Sequence, residues 1–125
     1  MKIVAFVLLS FALLNASPVS EGNKFFANGD YGKALESYLS ARKENPAEPA
    51  LFYNIGTCQY MLGNYEDAIK ELEPAVRFPD SSLAAKAAYN LANAYFRSGE
   101  KAESATKIEA WRQSIKKKKK AIELV

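Results

Sequence analysis

The chain repeats itself at an interval of about 34 residues, and one copy of the repeat is especially clear at residues 52–75. Apolar and small residues recur there every three or four positions on both sides of Gly63 and Asn64, which is the spacing of amphipathic helices. Glycine and asparagine tolerate backbone conformations that most side chains resist. The segment therefore predicts two helices joined by a tight turn.

The same residue types return in the neighbouring segments. Moving back 34 residues, Gly56, Gly63, Tyr65, Ala68, Leu72 and Ala75 become Gly22, Gly29, Tyr31, Ala34, Tyr38 and Ala41. Moving forward 36 residues, the stretch 53–56 reappears at 89–92, with Ala92 in place of Gly56, and Gly63 reappears as Gly99. A helix–turn–helix period near 34 residues is the signature of tetratricopeptide repeats. After residue 16 the chain resembles that family over essentially its whole length.

The resemblance implies an all-α, tetratricopeptide-type superhelix of about three helical hairpins with a long C-terminal helix. We expect repeats at about 17–49, 50–82 and 83–112, followed by a helical extension at 113–125. Apolar residues recur through the terminal segment at Ala105, Ile108, Trp111, Ile115, Ile122 and Val125, with Lys118 interrupting this face. A terminal helix of this kind would close the open end of the array.

Individual residues predict where helices begin and end. Ser17 and Pro18 suit the N-cap and the first position of the opening helix. Ser81 or Ser82 is expected to cap the first helix of the third repeat, and Gly99 to close it. Pro74 lies within a predicted helix, where it removes a hydrogen bond, so we expect a kink near residues 70–71 or an early end to the helix.

The first sixteen residues predict a secretory signal peptide. Lys2 gives a positive start, a short apolar run follows from residue 3 to 14, and small residues precede Ser17. The alternative is a membrane anchor, but the run is shorter than the roughly 20 residues that span a bilayer. We therefore expect a protein secreted across the inner membrane, most simply to the periplasm.

Residues for catalysis are scarce. The chain has no histidine and one cysteine, Cys58, which excludes the usual zinc and acyl-transfer arrangements and an internal disulfide. Cys58 is interpreted as a small packing residue and a reactive thiol is the weaker alternative. The carboxylate pairs Glu66/Asp67 and Glu71/Glu73 are expected to be solvated. We predict no enzyme, no cofactor and no metal site.

The family resemblance implies a concave groove lined by the first helix of each repeat. Asparagine amides can pair with the backbone of a bound segment, and tyrosines add apolar area with a polar tip. The alternative for Asn54 and Asn90 is a bridge between neighbouring helices. The predicted groove residues are Asn23, Phe26, Ala27, Tyr53, Asn54, Thr57, Tyr60, Lys86, Tyr89, Asn90, Asn93 and Arg97.

One subgroup of the family grips the C-terminal carboxylate of its partner with lysine, asparagine and arginine side chains. Asn23, Asn54 and Lys86 match that pattern, whereas Val19 and Asn90 stand where lysine and arginine are expected. Losing two of three cations removes most of the charge pairing with a carboxylate. We therefore predict a different mode of protein binding.

A narrower resemblance is to exported tetratricopeptide proteins of the bacterial aerotolerance (Bat) operons. It is carried by the sequence AYNLANAYFRSG at 88–99, by the connector at 80–86 and by the extension at 111–124. This resemblance implies a periplasmic partner protein.

A run of five lysines concentrates positive charge near the C-terminus: Lys116, Lys117, Lys118, Lys119 and Lys120. Of 17 basic residues, five lie in this run and one in the N-terminal segment, which leaves 11 against 14 acidic residues. A solvated helix face is the default interpretation. The functional alternative is contact with an anionic membrane surface or an acidic partner. The export signal disfavours nucleic acid, and self-association stays open.

Overall fold

A computed structural model describes residues 17–101 and 104–124, and within those ranges the regular secondary structure consists of α-helices joined by short turns. The helices are α1 (Pro18–Ala27), α2 (Tyr31–Glu44), α3 (Pro49–Met61), α4 (Tyr65–Ala75), α5 (Ser81–Lys101) and α6 (Ser104–Leu124). Each helix packs against the next one in the chain, and α3 also contacts α5. The predicted all-α fold of helical hairpins is confirmed. The predicted signal peptide at residues 1–16 lies outside the described residues, and none of the helices described is long and apolar enough to cross a membrane.

The first two hairpins turn in the same way. Gly29 and Gly63 have φ angles of 78° and 81°, the left-handed region that glycine adopts without penalty. In each turn the amide after the glycine donates to the carbonyl five residues earlier, from Asp30 to Phe25 and from Asn64 to Gln59, both at 2.9 Å. This hydrogen bond satisfies one of the last carbonyls of the preceding helix.

Aromatic pairs flank these two turns at equivalent positions. The rings of Phe26 and Tyr31 lie 5.1 Å apart across the first turn, and those of Tyr60 and Tyr65 lie 5.6 Å apart across the second. Edge-on and tilted contacts at this distance are favourable for aromatic rings. Each pair joins the end of the first helix of its hairpin to the start of the second.

The third hairpin does not turn at Gly99, contrary to the prediction. Helix α5 continues through Gly99 to Lys101, and Gly99 lacks the positive φ of its two counterparts. The sequence of the third hairpin differs at position 101, where lysine replaces the tyrosine that begins α2 and α4. The Lys101 ammonium instead donates to the Gly63 carbonyl at 3.1 Å and lies 4.8 Å from the centre of the Tyr65 ring.

Small residues in the first helix of each hairpin allow close packing by the second. A Cβ atom added at Gly22 would lie 2.5 Å from the Tyr38 ring, and one added at Gly56 would lie 2.6 Å from Leu72 Cγ. Real Cβ atoms do not approach other atoms so closely, so a larger residue at either position would force the Tyr38 or Leu72 side chain to shift. Ala92, at the equivalent position of α5, is fully buried.

Two apolar clusters form the core, one around Tyr38, Ile55 and Cys58 and the other around Leu72 and Leu91. An ion pair joins α2 to α4, since both terminal nitrogens of Arg42 bond to Glu71, at 3.0 and 2.6 Å. The Tyr95 hydroxyl of α5 donates to Glu73 of α4 at 2.5 Å. The prediction that Glu71 and Glu73 are solvated is therefore wrong, because each joins neighbouring helices.

Apart from Gly99, two of the three helix ends predicted from individual residues agree with the structure, and the cap of α5 differs. Ser17 caps α1 by accepting from the Ser20 amide at 3.2 Å, as predicted. Helix α4 ends at Ala75, one residue after Pro74, which is the early end that was one of the two expected outcomes. The residue that caps α5 is Asp80, which accepts from the Leu83 amide at 3.0 Å, and neither Ser81 nor Ser82 does so.

Helix α6 runs without interruption across the predicted boundary between repeat and extension at 112/113. Ser114 and Ala121 are buried on it, whereas Ile115 and Ile122 are 48% and 76% exposed. Among residues 112–124, the buried face therefore differs from the apolar face that the spacing of Ile115 and Ile122 indicated. Helix α6 packs mainly on α5, whose small residues accept small side chains such as Ala121. The side chains at 105, 108 and 111 lie outside those described.

Candidate partner-binding groove

The first helices of the three hairpins line two pockets that share Tyr53. The smaller pocket has a volume of about 270 Å³ and lies between α1, α2 and α3. The larger has a volume of about 780 Å³ and lies between α3, α5 and the end of α6. Nine of the twelve predicted groove residues therefore come together at these two pockets: Asn23, Phe26, Ala27, Tyr53, Asn54, Thr57, Lys86, Tyr89 and Asn90.

The smaller pocket is partly organised by hydrogen bonding. The Tyr38 hydroxyl donates to Asn23 Oδ1 at 2.7 Å, which holds the exposed Asn23 side chain at the pocket edge. Burial raises the pKa of Tyr38 to about 12, with a smaller contribution from Cys58, so this hydroxyl remains a donor at neutral pH. Tyr38 lines the pocket although it belongs to a second helix, and the sequence offered no signal for that role beyond its place opposite Gly22.

Thr57 and Asn90 link two of the groove helices. The Asn90 amide donates to Thr57 Oγ1 at 3.0 Å, and that hydroxyl donates in turn to the Tyr53 carbonyl at 2.7 Å. Asn90 is thus the interhelical bridge that was the alternative interpretation of this residue. The side chain of Asn54 makes no hydrogen bond to any residue in the described part of the chain, so its amide is available at the pocket.

The larger pocket contains a wall that sequence reasoning missed. Ala121, Ile122 and Leu124 of α6 face Tyr53 and the first turns of α5 across it. The apolar character of these last residues was visible in the sequence. Their position was not, because it depends on the packing of α6 on α5 and on the continuation of α5 past Gly99 to Lys101.

Three predicted groove residues line neither pocket. Tyr60 packs its ring against Tyr65 at the second turn, and Asn93 is half-buried on α5. The guanidinium of Arg97 donates to the Tyr65 hydroxyl at 3.1 Å and to Glu100 at 2.9 Å. Tyr60 and Arg97 therefore contribute to the turn between α3 and α4.

The five lysines of α6 have different environments. The ammonium of Lys117 lies 5.9 Å from the centre of the Tyr95 ring, and that of Lys118 lies 5.6 Å from the centre of the Phe96 ring. Both distances permit a cation–π attraction. Lys116, Lys118, Lys119 and Lys120 are exposed and Lys117 is half-buried, so four of the five lysines lie on the surface of α6.

The groove shows no arrangement for chemistry among the residues described. Burial raises the pKa of the Cys58 thiol to about 11, so the reactive thiolate is scarce at neutral pH. No group of three or more histidine, cysteine or carboxylate side chains comes together within 17–101 and 104–124. The geometry instead offers apolar surface with a few polar groups at the edge, which is the usual composition of a binding site.

Comparison with known proteins identifies the family. The profile described as tetratricopeptide repeat matches residues 19–82, just over half of the chain. The chain belongs to the tetratricopeptide repeat family. Proteins of this family are generally non-enzymatic scaffolds for protein–protein interaction.

Individual relatives are longer proteins. The small glutamine-rich tetratricopeptide repeat-containing protein 2 of Mycosarcoma maydis is 31% identical over 96 residues, which cover 77% of this chain and 26% of that protein. Tetratricopeptide repeat protein 4 of Homo sapiens is 35% identical over 69 residues, covering 52% and 18%. Hsp70-Hsp90 organizing protein 2 of Arabidopsis thaliana is 30% identical over 63 residues, covering 50% and 11%. The chain thus spans about a quarter or less of these relatives.

Proposed function

We propose that this protein is a scaffold that binds a segment of a partner protein in the groove formed by α1, α3 and α5. The observation that carries the proposal is the pair of pockets joined at Tyr53, which bring together residues from three helices. A bound segment that crosses Tyr53 can occupy both. The name of the Arabidopsis relative, an organizing protein for Hsp70 and Hsp90, supports a protein as the partner.

The groove offers groups suited to such a segment. The Asn54 amide can donate to and accept from a peptide backbone, and Tyr89, which is 57% exposed, offers an apolar surface. Lys86 adds a positive charge at the edge. Because Thr57 and Asn90 already bond to each other, they hold the helices in place and contribute less to the partner.

We further propose that the protein acts outside the cytoplasm, in the periplasm, with a partner there. The support is the predicted signal peptide together with the resemblance of 88–99 and 111–124 to exported proteins of the Bat operons. Expression of the full-length chain followed by cell fractionation and N-terminal sequencing tests this. A mature protein that begins near Ser17 in the periplasmic fraction is expected, and an intact Met1 in the cytoplasm would contradict it.

The groove is tested by affinity capture with the purified protein and mass spectrometry of the bound material. The test variant combines Asn54→Ala and Tyr53→Ala, and the control is Leu39→Ala on the exposed side of α2, outside both pockets. We expect a specific protein that is recovered with wild type and control and lost with the test variant. Equal recovery with all three proteins would exclude the groove as the binding site.

A second candidate function is attachment to an anionic membrane surface through α6. The observation that favours it is the exposure of Ile115 and Ile122 among lysines, since basic helices with apolar residues bind such surfaces. Sedimentation with vesicles of phosphatidylglycerol tests it, with phosphatidylcholine vesicles as the control. Binding to neither kind of vesicle would remove this candidate.

A further inference from the structure

We infer that the larger pocket receives an acidic amphipathic helix of the partner protein, and that the end of α6 forms half of this binding site. The inference rests on the proposed scaffold function and specifies the chemistry of the partner. It goes beyond the groove of the first helices, because its essential surface belongs to the last helix of the chain.

The shape and lining of the pocket favour a helical segment. Its volume of about 780 Å³ falls in the range of sites that enclose whole ligands, so it holds more than one apolar side chain. The apolar lining comes from three helices, with Tyr53 from α3, Tyr89 from α5 and Ile122 from α6. A helix that places apolar side chains at positions i, i+3 and i+4 fills a groove of this kind.

The exposure of Ile122 also favours an amphipathic partner. This side chain is 76% exposed although it lines the pocket, and Leu124 beside it is also exposed. An amphipathic partner would remove both side chains from water, which stabilises a complex in proportion to the apolar area that is buried. Tyr89, on the opposite wall, would be covered at the same time.

Charge around the pocket selects an acidic partner. Lys86 lines the pocket, and Lys120 precedes Leu124 by one helical turn on the same side of α6. Lys118 precedes Ile122 by one turn, and its ammonium lies over the Phe96 ring, seven residues along α5 from Tyr89. The two acidic residues nearby are Glu123 and Asp80. The Asp80 carboxylate already accepts the Leu83 amide, and Glu123 is a single charge beside five lysines. Three lysines at or beside the pocket thus outnumber these two carboxylates, which favours an acidic partner.

Three synthetic peptides test this chemistry directly with the protein purified from expression of the full-length chain. The first has leucine at helical spacing and glutamate elsewhere. The second replaces every glutamate by lysine, and the third keeps the composition of the first but scatters its leucines around the helix. By fluorescence anisotropy we expect the first peptide to bind at least about tenfold more tightly than the other two. Equal binding of the basic peptide, or of the scattered one, would overturn the inference.

Protein variants then locate the binding site. We expect Ile122→Ser to weaken binding of the first peptide about tenfold, because one buried aliphatic side chain contributes about that much. Leu39→Ser is the matched control, since Leu39 is 41% exposed on α2 and lies outside both pockets. Circular dichroism checks that both variants fold. Unchanged binding by folded Ile122→Ser would exclude α6 as part of the site.

The outcomes separate this inference from the proposed function. If the captured partner is lost with the Tyr53/Asn54 variant but kept with Ile122→Ser, the groove binds its partner without α6 and only this inference fails. If neither variant changes capture, both fail. If the acidic peptide does not bind while phosphatidylglycerol vesicles do, the lysines of α6 bind an anionic lipid surface instead of an acidic helix, and the inference is wrong.

Discussion

The first two hairpins and the third use the same packing positions but end their first helices differently. Gly29 and Gly63 stop α1 and α3 with a left-handed turn, and a tyrosine follows two residues later. Gly99 has the same place in the repeat, yet α5 passes through it. The comparison shows that a glycine at this position permits a turn without causing one, and that both helices which stop are followed by the aromatic contact that the third hairpin lacks.

The difference has a consequence for the binding site. Since α5 extends to Lys101, its partner α6 begins at Ser104 and is equally long. The end of α6 therefore reaches the beginning of α5, where Ile122 faces Tyr53 and Tyr89 across the larger pocket. The smaller pocket, between hairpins of regular length, has no such wall and about a third of the volume.

The largest expected change in stability concerns the small residue of the first helix in each hairpin, which is Gly56 in α3 and Ala92 in α5. Gly56→Ala places a Cβ 2.6 Å from Leu72 Cγ, so we expect it to lower the free energy of unfolding by about 1–3 kcal/mol. The reverse change in the third hairpin, Ala92→Gly, should cost about 1 kcal/mol because glycine disfavours the helix. Both values are measured by urea denaturation.

Gly32→Ala is the control for that pair of variants. A Cβ at Gly32 meets no atom within 4 Å, so alanine there should raise the free energy of unfolding by about 0.5–1 kcal/mol. If Gly56→Ala is as stable as Gly32→Ala, close packing against Leu72 is not what requires glycine in α3.

An intermediate loss of stability is expected at alkaline pH. It involves one tyrosine in the first hairpin, Tyr38, and one in the third, Tyr95. Burial raises the pKa of Tyr38 to about 12, and burial together with the hydrogen bond to Glu73 raises that of Tyr95 to about 12. Both hydroxyls therefore hold their protons more tightly in the folded chain than in the unfolded chain, where the ordinary pKa of 10.0 applies. Their contribution is complete below pH 10 and is lost as pH rises towards 12, so stability falls over that range.

Phenylalanine variants assign this pH dependence. Tyr38→Phe loses the hydrogen bond to Asn23 and should lower stability at pH 8 by about 1 kcal/mol, but its stability should fall less steeply above pH 10. Tyr95→Phe should behave likewise through loss of its bond to Glu73. The measurement is urea denaturation at several pH values, with refolding at pH 8 as the check of reversibility. Wild-type slopes in both variants would show that other groups control alkaline unfolding.

The sequence predicts the fold well because repeat positions report local packing. Gly22, Gly56 and Ala92 indicate where helices approach closely, and Gly29 and Gly63 indicate two turns, all without knowledge of distant contacts. Helical spacing also predicted most of the groove residues, since side chains one turn apart on the first helices share a face.

The contacts that the sequence could not predict are those set by the packing of one helix against another. The carboxylates Glu71 and Glu73 look like solvated charges until Arg42 and Tyr95 are placed beside them by the packing of α2 and α5 on α4. Ile122 looks like a packing residue, but the face of α6 that meets α5 is set by the small residue Ala121. Periodicity alone assigns a face by hydrophobicity, whereas the buried side chains described on α6, Ser114 and Ala121, are small.

The smallest effect, and the most direct test of the comparison, comes from making the third turn resemble the first. The double variant Glu100→Asp, Lys101→Tyr gives Gly99 the cap and the aromatic residue that follow Gly29, where Asp30 accepts the Lys33 amide. We expect Gly99 to leave the helix while the free energy of unfolding changes by less than about 1 kcal/mol, since a cap is gained as helical bonds are lost. Carbon chemical shifts at residues 97–101 measure this. If they stay helical, the packing of α5 against α6 sets the length of α5, and the residues after the glycine do not.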